Sequence, residues 1–295
     1  MESAACVFWA AILLCTDAAA NPFHERQGHL SYWRNVGLEE VNERLGRMGQ
    51  LPSGREKVAK NVILFLGDGM GASTVTATRI YVGQKESPDD NQKPLSLEEF
   101  PFTGQAKGGG RAGSPRRARG QSETDPVQTN FAGQRKDGRN LIEEWKKLGG
   151  GTREYIWTKE QLYDTDLSKV DHLLASIRLY TMTALFAPSH LEFAAFADKA
   201  PTEPSLAQMT VKAIEKLSQN DKGFFLLVEG GKIDHALHAN KAKLALEETR
   251  QLHEAVRAAV DIVDGDETLV VVTSDHSHTM AIVGYEDRNL PVYGE

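Results

Sequence analysis

Cysteine is almost absent from this sequence: its 295 residues include two cysteines, Cys6 and Cys15, and both lie near the amino terminus. The rest of the chain therefore contains no disulfide and no reactive thiol, which excludes a disulfide-stabilised scaffold. The cysteines give no evidence for an oxidising compartment. Asn-x-Ser/Thr glycosylation sequons are absent as well.

Long hydrophobic runs are also absent. The run from Ala4 to Cys15 is too short to span a bilayer, and small residues follow it up to Ala20. This pattern predicts a secretory signal peptide over residues 1–20, although no Lys or Arg precedes the apolar run. A membrane anchor is the alternative. The carboxyl end, EDRNLPVYGE, is polar and carries no hydrophobic tail for a lipid anchor.

Positive charge is outweighed by negative charge, with a formal net charge of −7, and 40% of the residues are hydrophobic. This is the composition of an ordinary globular protein with one large or two small domains. An acidic chain is a poor partner for nucleic acid. An anionic substrate would need metal ions or local arginines to hold it.

The stretch GFFLLVEGGKIDHALH, residues 223–238, carries the clearest pattern in the chain. Its apolar residues predict a strand buried on both faces, and Glu229 falls at the carboxyl end of that strand. Two glycines then allow a sharp turn, and a long helical pattern begins at Ile233. On that helix Asp234 and His238 lie one turn apart on the same face, so an oxygen and a nitrogen can point at one metal ion.

The same arrangement occurs twice more. The strand in NVILFLGDGM ends at Asp68, and the strand in TLVVVTSDHSH ends at Asp275 and His276. Ligand sites of open parallel α/β sheets lie at the carboxyl ends of the strands. The sequence therefore predicts a metal site in which six side chains converge: Asp68, Glu229, Asp234, His238, Asp275 and His276.

Simpler roles are open for these residues. An acid at a strand end is often a helix cap or a turn residue, and a histidine in such a segment is often a hydrogen-bonded core residue. The recurrence at three strands favours metal ligands for the six. For His278 the sequence leaves open whether it supports a ligand from behind or packs in the core. His235 and His253 are predicted to be surface or packing residues.

Other segments have clear local patterns. Residues 108–140 are rich in Gly and Arg without periodicity, which predicts a solvated loop. A processing site or an anion-binding patch at Arg116, Arg117 and Arg119 is the alternative. Residues 95–107 predict a loop followed by an edge strand. A strand is predicted in EYIWT, and helices are predicted in GLEEVNERLGRM, GASTVTATRIYVG, NLIEEWKKLGG and PSLAQMTVKAIEKLSQN.

Three segments, VILFLGDGMGASTVTATRI, GFFLLVEGGKIDHALH and VVTSDHSH, resemble the signatures of the alkaline phosphatases in the same order. Intervening pieces such as LSLEEFPFTGQAK and DGRNLIEEW resemble that family too, so the likeness covers most of residues 30–285. It implies an α/β fold, a three-layer sandwich around a central, mainly parallel sheet that is incomplete in this chain. Residues 21–295 would form a partial alkaline phosphatase domain.

The resemblance implies a hydrolase of phosphate monoesters with two zinc ions and one magnesium ion. The six residues would divide among three ions, with one carboxylate bridging two of them. The first zinc would take Asp68, Asp275 and His276, the second Asp234 and His238, and the magnesium Asp68 and Glu229. Members of the family are usually homodimers outside the cell, attached to the membrane by a GPI anchor whose signal is absent from this chain.

Several parts of that family's pattern are missing. The nucleophilic serine lies in an Asp-Ser-Ala-Gly-Thr-type segment after the Phe-Thr-Gly strand, whereas here Lys107 precedes three glycines and no Asp-Ser-Ala occurs. The phosphate-binding arginine and the His and Thr/Ser of the magnesium site belong to the same block. Residues 176–184, SIRLYTMTA, interrupt a Leu-Leu-Gly-Leu-Phe-type stretch, and Ala187 stands where a calcium-binding glutamate often lies. The last zinc histidine would fall beyond Glu295.

These departures leave three interpretations. The chain is an alkaline phosphatase by descent with impaired or no activity, or a secreted non-catalytic metal-binding relative. The third is a faulty gene model or splice form that does not fold stably, because the excision would expose sheet edges. Ser73, Ser274 and Ser277 adjoin the proposed ligands, but each matches a family position that is not the nucleophile. No catalytic serine is therefore assigned.

Overall fold

The computed structural model describes residues 58–86, 93–101, 103, 139–175, 190–284 and 290–292, together with scattered helical positions between 31 and 46. Several of those positions belong to the helix predicted in GLEEVNERLGRM. The expected signal peptide, SIRLYTMTA and nearly all of the Gly/Arg-rich segment lie outside the described residues.

The described part of the chain alternates helices and strands. Short 3-10 turns lie at Ser96–Glu98, Leu167–Lys169 and Ala194–Lys199. In chain order the other elements are β1 (Asn61–Gly67), α1 (Ala72–Glu86), α2 (Leu141–Lys146), β2 (Arg153–Ile156), α3 (Lys159–Asp164), β3 (His172–Ala175), α4 (Leu206–Leu217), β4 (Phe225–Gly230), α5 (Lys232–His238), α6 (Ala242–Ile262) and β5 (Thr268–Thr273).

The central sheet has three parallel strands in the order β4-β1-β5. In this register Leu66 of β1 lies beside Glu229 of β4 and Thr273 of β5, so the three strands end at the same edge. Strands β2 and β3 pair in parallel in a separate small sheet. Because helices connect the parallel strands, the predicted α/β class is confirmed.

One face of the central sheet is buried under helices. Ile63 and Phe65 of β1 are fully buried and pack in one core with Val228, Leu252 and Val256. The long helix α6 contacts β1 and β4 and also α1, α4 and α5. Burial of each large apolar side chain contributes about 1.5–3 kcal/mol, so this face carries much of the stability of the fold.

The opposite face of the sheet is only partly covered. Phe225, Leu269 and Val271 point to this face and are 63%, 50% and 37% exposed. The prediction that β4 is buried on both faces is therefore wrong. The reason is that the helices of the main core pack against the face that carries Ile63 and Phe65.

The long helix predicted from Ile233 onward is broken in two. Helix α5 ends at His238 and α6 begins at Ala242. Between them Asn240 has a left-handed φ of 54°, a conformation that asparagine tolerates better than most residues. The Lys241 N–H donates to the carbonyl of Ala236, which closes the helix end. The break separates the short helix near the site from the long helix that covers the sheet.

The remaining local predictions divide clearly. The helices predicted in GASTVTATRIYVG, NLIEEWKKLGG and PSLAQMTVKAIEKLSQN and the strand in EYIWT are confirmed within a few residues. The edge strand predicted in residues 95–107 does not appear in the described part, which forms a 3-10 turn at Ser96–Glu98. Among the described helices, none has both the length and the apolar character needed to cross a membrane.

Candidate metal centre

The six predicted site residues lie at the carboxyl edge of the central sheet or on the short helix beside it. Asp68 follows β1, Glu229 is near the end of β4, and Asp275 and His276 follow β5. Asp234 and His238 are on α5, which starts directly after β4. Parallel strands deliver their ends to one edge, so residues far apart in sequence meet there.

The turn after β1 depends on Gly69. Its φ is +67°, and a Cβ at this position would lie 3.0 Å from Oδ1 of Asp234. A glycine is therefore needed both for the left-handed backbone and for the close approach of the carboxylate. The N–H of Gly69 donates to Oδ1 of Asp275 at 3.2 Å, which ties the end of β1 to the loop after β5.

Asp68, Asp234 and His276 form the first group of possible metal ligands, with one ligand atom from each within 4.8 Å of the others. Nε2 of His276 lies 3.3 Å from Oδ1 of Asp68 and 3.5 Å from Oδ2 of Asp275. Nδ1 of His276 donates to the carbonyl of Ser277 at 2.9 Å, because a carbonyl oxygen can only accept. This bond holds the ring so that Nε2 faces the carboxylates.

Asp234, His238 and His278 form the second group, again with ligand atoms within 4.8 Å. Nε2 of His238 lies 3.4 Å from Oδ2 of Asp234, one helical turn away as predicted. The rings of His238 and His278 meet edge to face, with centroids 4.8 Å apart. Asp234 is common to both groups, so its two oxygens can serve two neighbouring ion positions.

His278 differs from His276 in the hydrogen bond that its Nδ1 makes. The N–H of Thr279 donates to Nδ1 of His278 at 2.9 Å, so the neutral ring carries its proton on Nε2. That nitrogen faces Oδ1 of Asp234 at 3.7 Å. Of the two roles that the sequence left open, this geometry favours support of a ligand carboxylate over packing in the core.

Negative charge is crowded at this edge. Burial, together with repulsion from Asp275 and Asp234, raises the pKa of Asp68 to about 7. Burial and repulsion from Asp275 also raise the pKa of Glu229. The hydrogen bond to Ser277 and the nearby carboxylates raise the pKa of the His276 ring. Each shift shows that additional positive charge would stabilise this edge.

The donor atoms fit a metal ion. Oδ1 of Asp68 and Oδ1 of Asp234 are buried and have no hydrogen-bond partner in the described structure. Nε2 of His276 is 3.3 Å from the first of these atoms, but the contact does not meet hydrogen-bond geometry. Two ligands bonded to one tetrahedral zinc at about 2.0–2.1 Å lie about 3.3 Å apart. The oxygen–nitrogen spacings at the site therefore match those of zinc ligands.

Glu229 and Asp275 belong to neither three-residue group within the described residues. Asp275 still contacts both Gly69 and His276, and its charge reaches Glu229. Glu229 is thus linked to the cluster through Asp275 alone among the six. Its carboxylate is the kind of hard oxygen ligand that magnesium prefers.

His235 and His253, which were predicted to be surface or packing residues, both pack against other side chains. The ring of His235 meets the ring of His190 edge to face at 4.5 Å, and His253 is buried, with Nδ1 accepting the N–H of Ser96. Sequence reasoning missed the Gly69 N–H and the Ser277 carbonyl, which hold Asp275 and His276. The glycines on either side of Asp68 were the available signal for the first of these contacts.

The fold and the site together define an α/β protein with a metal-ligand cluster at the carboxyl edge of a parallel sheet. A sequence profile described as Alkaline phosphatase matches residues 59–110 and 106–295. The chain belongs to the alkaline phosphatase family, whose activity is the hydrolysis of phosphate monoesters.

Individual relatives cover different shares of the chain. A membrane-bound alkaline phosphatase of Bombyx mori is 46% identical over 165 residues, 55% of this chain and 28% of that protein. The tissue-nonspecific isozyme of Gallus gallus is 28% identical over 403 residues, covering 96% of this chain and 75% of that protein. The crystal structure of Thermus thermophilus alkaline phosphatase matches with a TM-score of 0.58 at 19% identity, over 79% of this chain and 63% of that chain. The last similarity shows a shared fold.

Two of these matches concern sequence that this chain lacks, and the profile match divides near Lys107. The two parts of the profile match meet at residues 106–110, where the glycine run begins. The alignment with the Gallus gallus protein extends over 403 positions although only 96% of 295 residues take part, so about 120 of its positions have no counterpart in this chain. A relative that spans nearly all of this chain therefore contains a large amount of internal sequence that this chain lacks.

Proposed function

We propose that this chain descends from a phosphate-monoester hydrolase, retains its metal centre and has impaired hydrolytic activity because the nucleophile block is absent. The observation that carries the proposal is the spacing at the carboxyl edge of the sheet. There Oδ1 of Asp68 and Oδ1 of Asp234 are buried without hydrogen bonds, and imidazole nitrogens lie 3.3–3.7 Å from them.

The proposed ions are two zinc and one magnesium. Imidazole combined with carboxylate suits zinc, and carboxylate alone suits magnesium. When bound, such ions would neutralise phosphate charge and stabilise the attacking and leaving oxygens of an in-line displacement. One zinc would be held by Asp68, Asp275 and His276, the other by Asp234 and His238, and the magnesium by Asp68 and Glu229. Asp234 also lies close to Asp68 and His276, so its carboxylate would contribute to the first zinc as well.

The protein's own groups prepare this centre. The Ser277 carbonyl holds Nδ1 of His276, which leaves Nε2 directed at Asp68 and Asp275. The Gly69 N–H orients the carboxylate of Asp275. His278 faces Oδ1 of Asp234 while His238 faces Oδ2, which restricts rotation of that carboxylate. These contacts position the ligands before an ion binds and lower the reorganisation needed.

A nucleophile is the part that this centre lacks. The resemblance places the nucleophile in an Asp-Ser-Ala segment, and no such segment occurs in the sequence. The hydroxyl of Ser274 donates to the carbonyl of His276 at 2.5 Å, so its proton is already used within the loop. Loss of the nucleophile removes the covalent step, and loss of the phosphate-binding arginine removes charge stabilisation worth several kcal/mol, by analogy with about 2.7–4 kcal/mol for one oxyanion donor.

The activity proposal is tested with 4-nitrophenyl phosphate in the presence of zinc and magnesium. We expect the chain to release little phosphate. We expect activity after insertion, between Lys107 and Gly108, of the alkaline phosphatase block whose Asp-Ser-Ala segment the resemblance places there. The matched control is the same insertion with the serine of its Asp-Ser-Ala segment changed to alanine. Rapid hydrolysis by the unaltered chain would overturn the proposed impairment.

Two alternatives remain, and each has a supporting observation. A non-catalytic metal-binding role is favoured by the fit of the ligand groups without a nucleophile. A faulty gene model or splice form is favoured by the 63% exposure of Phe225 on the open sheet face. A monodisperse protein that retains zinc but stays inert after the insertion supports the first alternative. Transcripts that contain additional sequence at Lys107–Gly108 support the second.

The location and assembly of the chain are part of the same proposal. We place it outside the cell after removal of residues 1–20, acting on phosphate monoesters, with the homodimeric state that the resemblance implies. Expression in cultured animal cells, with measurement of secreted protein and its mass in solution, tests both statements.

A further inference from the structure

Helix α5, which carries Asp234 and His238, is too short to hold its own position. It has seven residues, Lys232–His238, and Gly231 at its start offers no side chain to cap it. Isolated helices shorter than about 12–15 residues are marginal in water. The placement of the two proposed ligands therefore depends on the tertiary contacts that hold this helix.

One side of α5 is fixed by apolar packing. Ile233 and Ala236 are fully buried, and Leu237 is nearly so. This packing holds the helix against the core, but smooth apolar contacts restrict rotation and sliding less than directional bonds do. A directional contact at the first residue of the helix supplies this restriction.

That contact is made by Lys232. Its Nζ donates to the carbonyl of Leu191 at 2.5 Å and lies 3.6 Å from the centre of the Phe193 ring. Both partners belong to the segment 190–199, which is distant from α5 in sequence. The ammonium group thus joins the first turn of α5 to this segment through a charged hydrogen bond and a cation–π contact.

Burial lowers the pKa of Lys232, and three glutamates oppose that effect. Glu248 of α6, Glu192 and Glu203 all attract the ammonium group. Glu248 also accepts the Ala194 N–H at 2.7 Å, and burial raises its pKa to about 7. Glu203 accepts the N–H of Glu192 at 2.7 Å. The ammonium group therefore binds the segment 190–199 directly and lies in the electrostatic field of a carboxylate on α6.

We propose that Lys232 is a positioning residue of the metal centre: its bonds to the segment 190–199 hold α5 so that Asp234 and His238 stay aligned with Asp68 and His276, which come from other elements. This inference rests on the proposed metal function. Without the ammonium group the three carboxylates repel one another and the first turn of α5 loses its directional contact. The carboxylate of Asp234, two residues further along, then loses its alignment with Asp68 and His276.

The test compares zinc affinity, measured by competition with a chromophoric chelator, and the visible absorption of the cobalt-substituted protein. We expect Lys232→Met to weaken zinc binding about tenfold, the lower end of what supporting residues contribute, and to alter the cobalt spectrum. Lys232→Arg, which keeps the charge and the donor, should restore most of both. The matched control is Lys212→Met, a lysine on α4 that pairs with Glu215 at 2.8 Å.

The outcomes separate this inference from the proposed function. If the parent chain binds no zinc, the proposed metal centre fails. If the parent binds zinc but folded Lys232→Met matches it in affinity and cobalt spectrum, the positioning role alone is wrong. Circular dichroism checks that each variant is folded. If Lys232→Met unfolds, Lys232→Gln, which keeps an N–H donor without the charge, replaces it under the same criteria.

Discussion

Asp68 and His276 face each other at the edge of the sheet without a hydrogen bond between them. Nε2 of His276 lies 3.3 Å from Oδ1 of Asp68, yet that oxygen has no partner in the part of the chain that the structure describes. The other ring nitrogen donates to Ser277. The spacing of these two atoms and the lack of a hydrogen bond between them fit the proposal that both bind one ion.

Asp234 belongs to both ligand groups, so its loss should affect both zinc positions. We expect Asp234→Ala to lower zinc affinity at two positions by at least about 10–100-fold, whereas His238→Ala should affect one. Zinc bound per chain after dialysis, measured by atomic emission, distinguishes the two variants. Asp261→Ala, at an exposed position of α6, is the control. Equal losses in Asp234→Ala and His238→Ala would contradict the shared role.

The raised pKa of Asp68, about 7, predicts how stability depends on pH after metal ions are removed with a chelator. An acid whose folded pKa lies above its unfolded value stabilises the fold below pH 4 and loses that contribution as the pH rises to about 7. Asp68→Asn should therefore raise the free energy of unfolding at pH 8 by about 1–2 kcal/mol, after discounting the full shift for the partly exposed carboxyl.

Urea unfolding of both proteins at several pH values measures this difference. The gain from Asp68→Asn should shrink as the pH falls from 8 toward 4. Addition of zinc should reverse the order, because the carboxylate then contributes a ligand and the amide does not. A gain that is constant over this pH range would show that the charge of Asp68 is not its cause.

Gly69 has a left-handed φ of +67° and lies against Asp234. We expect Gly69→Ala to lower the free energy of unfolding by about 1–2 kcal/mol from backbone strain. It should also weaken zinc binding, because the new methyl group displaces the Asp234 carboxylate. Thermal unfolding and zinc titration check the two effects. Gly265→Ala, in a turn with open space around it, should change neither.

Phe225 is 63% exposed on the open face of the sheet, in the strand at one edge of the described part of that sheet. Exposed apolar faces and free strand edges promote association. Phe225→Ser should therefore reduce concentration-dependent association, as seen by light scattering, with little loss of stability because the ring is mostly in contact with water. Phe196→Ser is the control, since Phe196 is 38% exposed outside the sheet. Unchanged association in Phe225→Ser would rule out this face as its source.

Local structure could be predicted well from the sequence. The apolar run before Asp68 became β1, and the amphipathic pattern in residues 204–220 became α4. The errors occurred where a local pattern is ambiguous. A run such as Phe224–Val228 is the same for a strand covered on one face or on two. A helical pattern also continues through Asn240, although that residue has a left-handed φ of 54° and interrupts the helix.

Residue periodicity and residue type are local properties, so the strand ends and the chemical groups at them can be read from the chain alone. The strand order β4-β1-β5, by contrast, is a long-range result of packing, and it brings Asp68 next to Asp275 and His276. The folded structure was needed to find that Asp234 belongs to both ligand groups and that His276 and His278 carry their ring protons on different nitrogens. Those properties depend on differences of a few tenths of an ångström in the distances between atoms of distant segments. Spacing along the chain does not encode such differences.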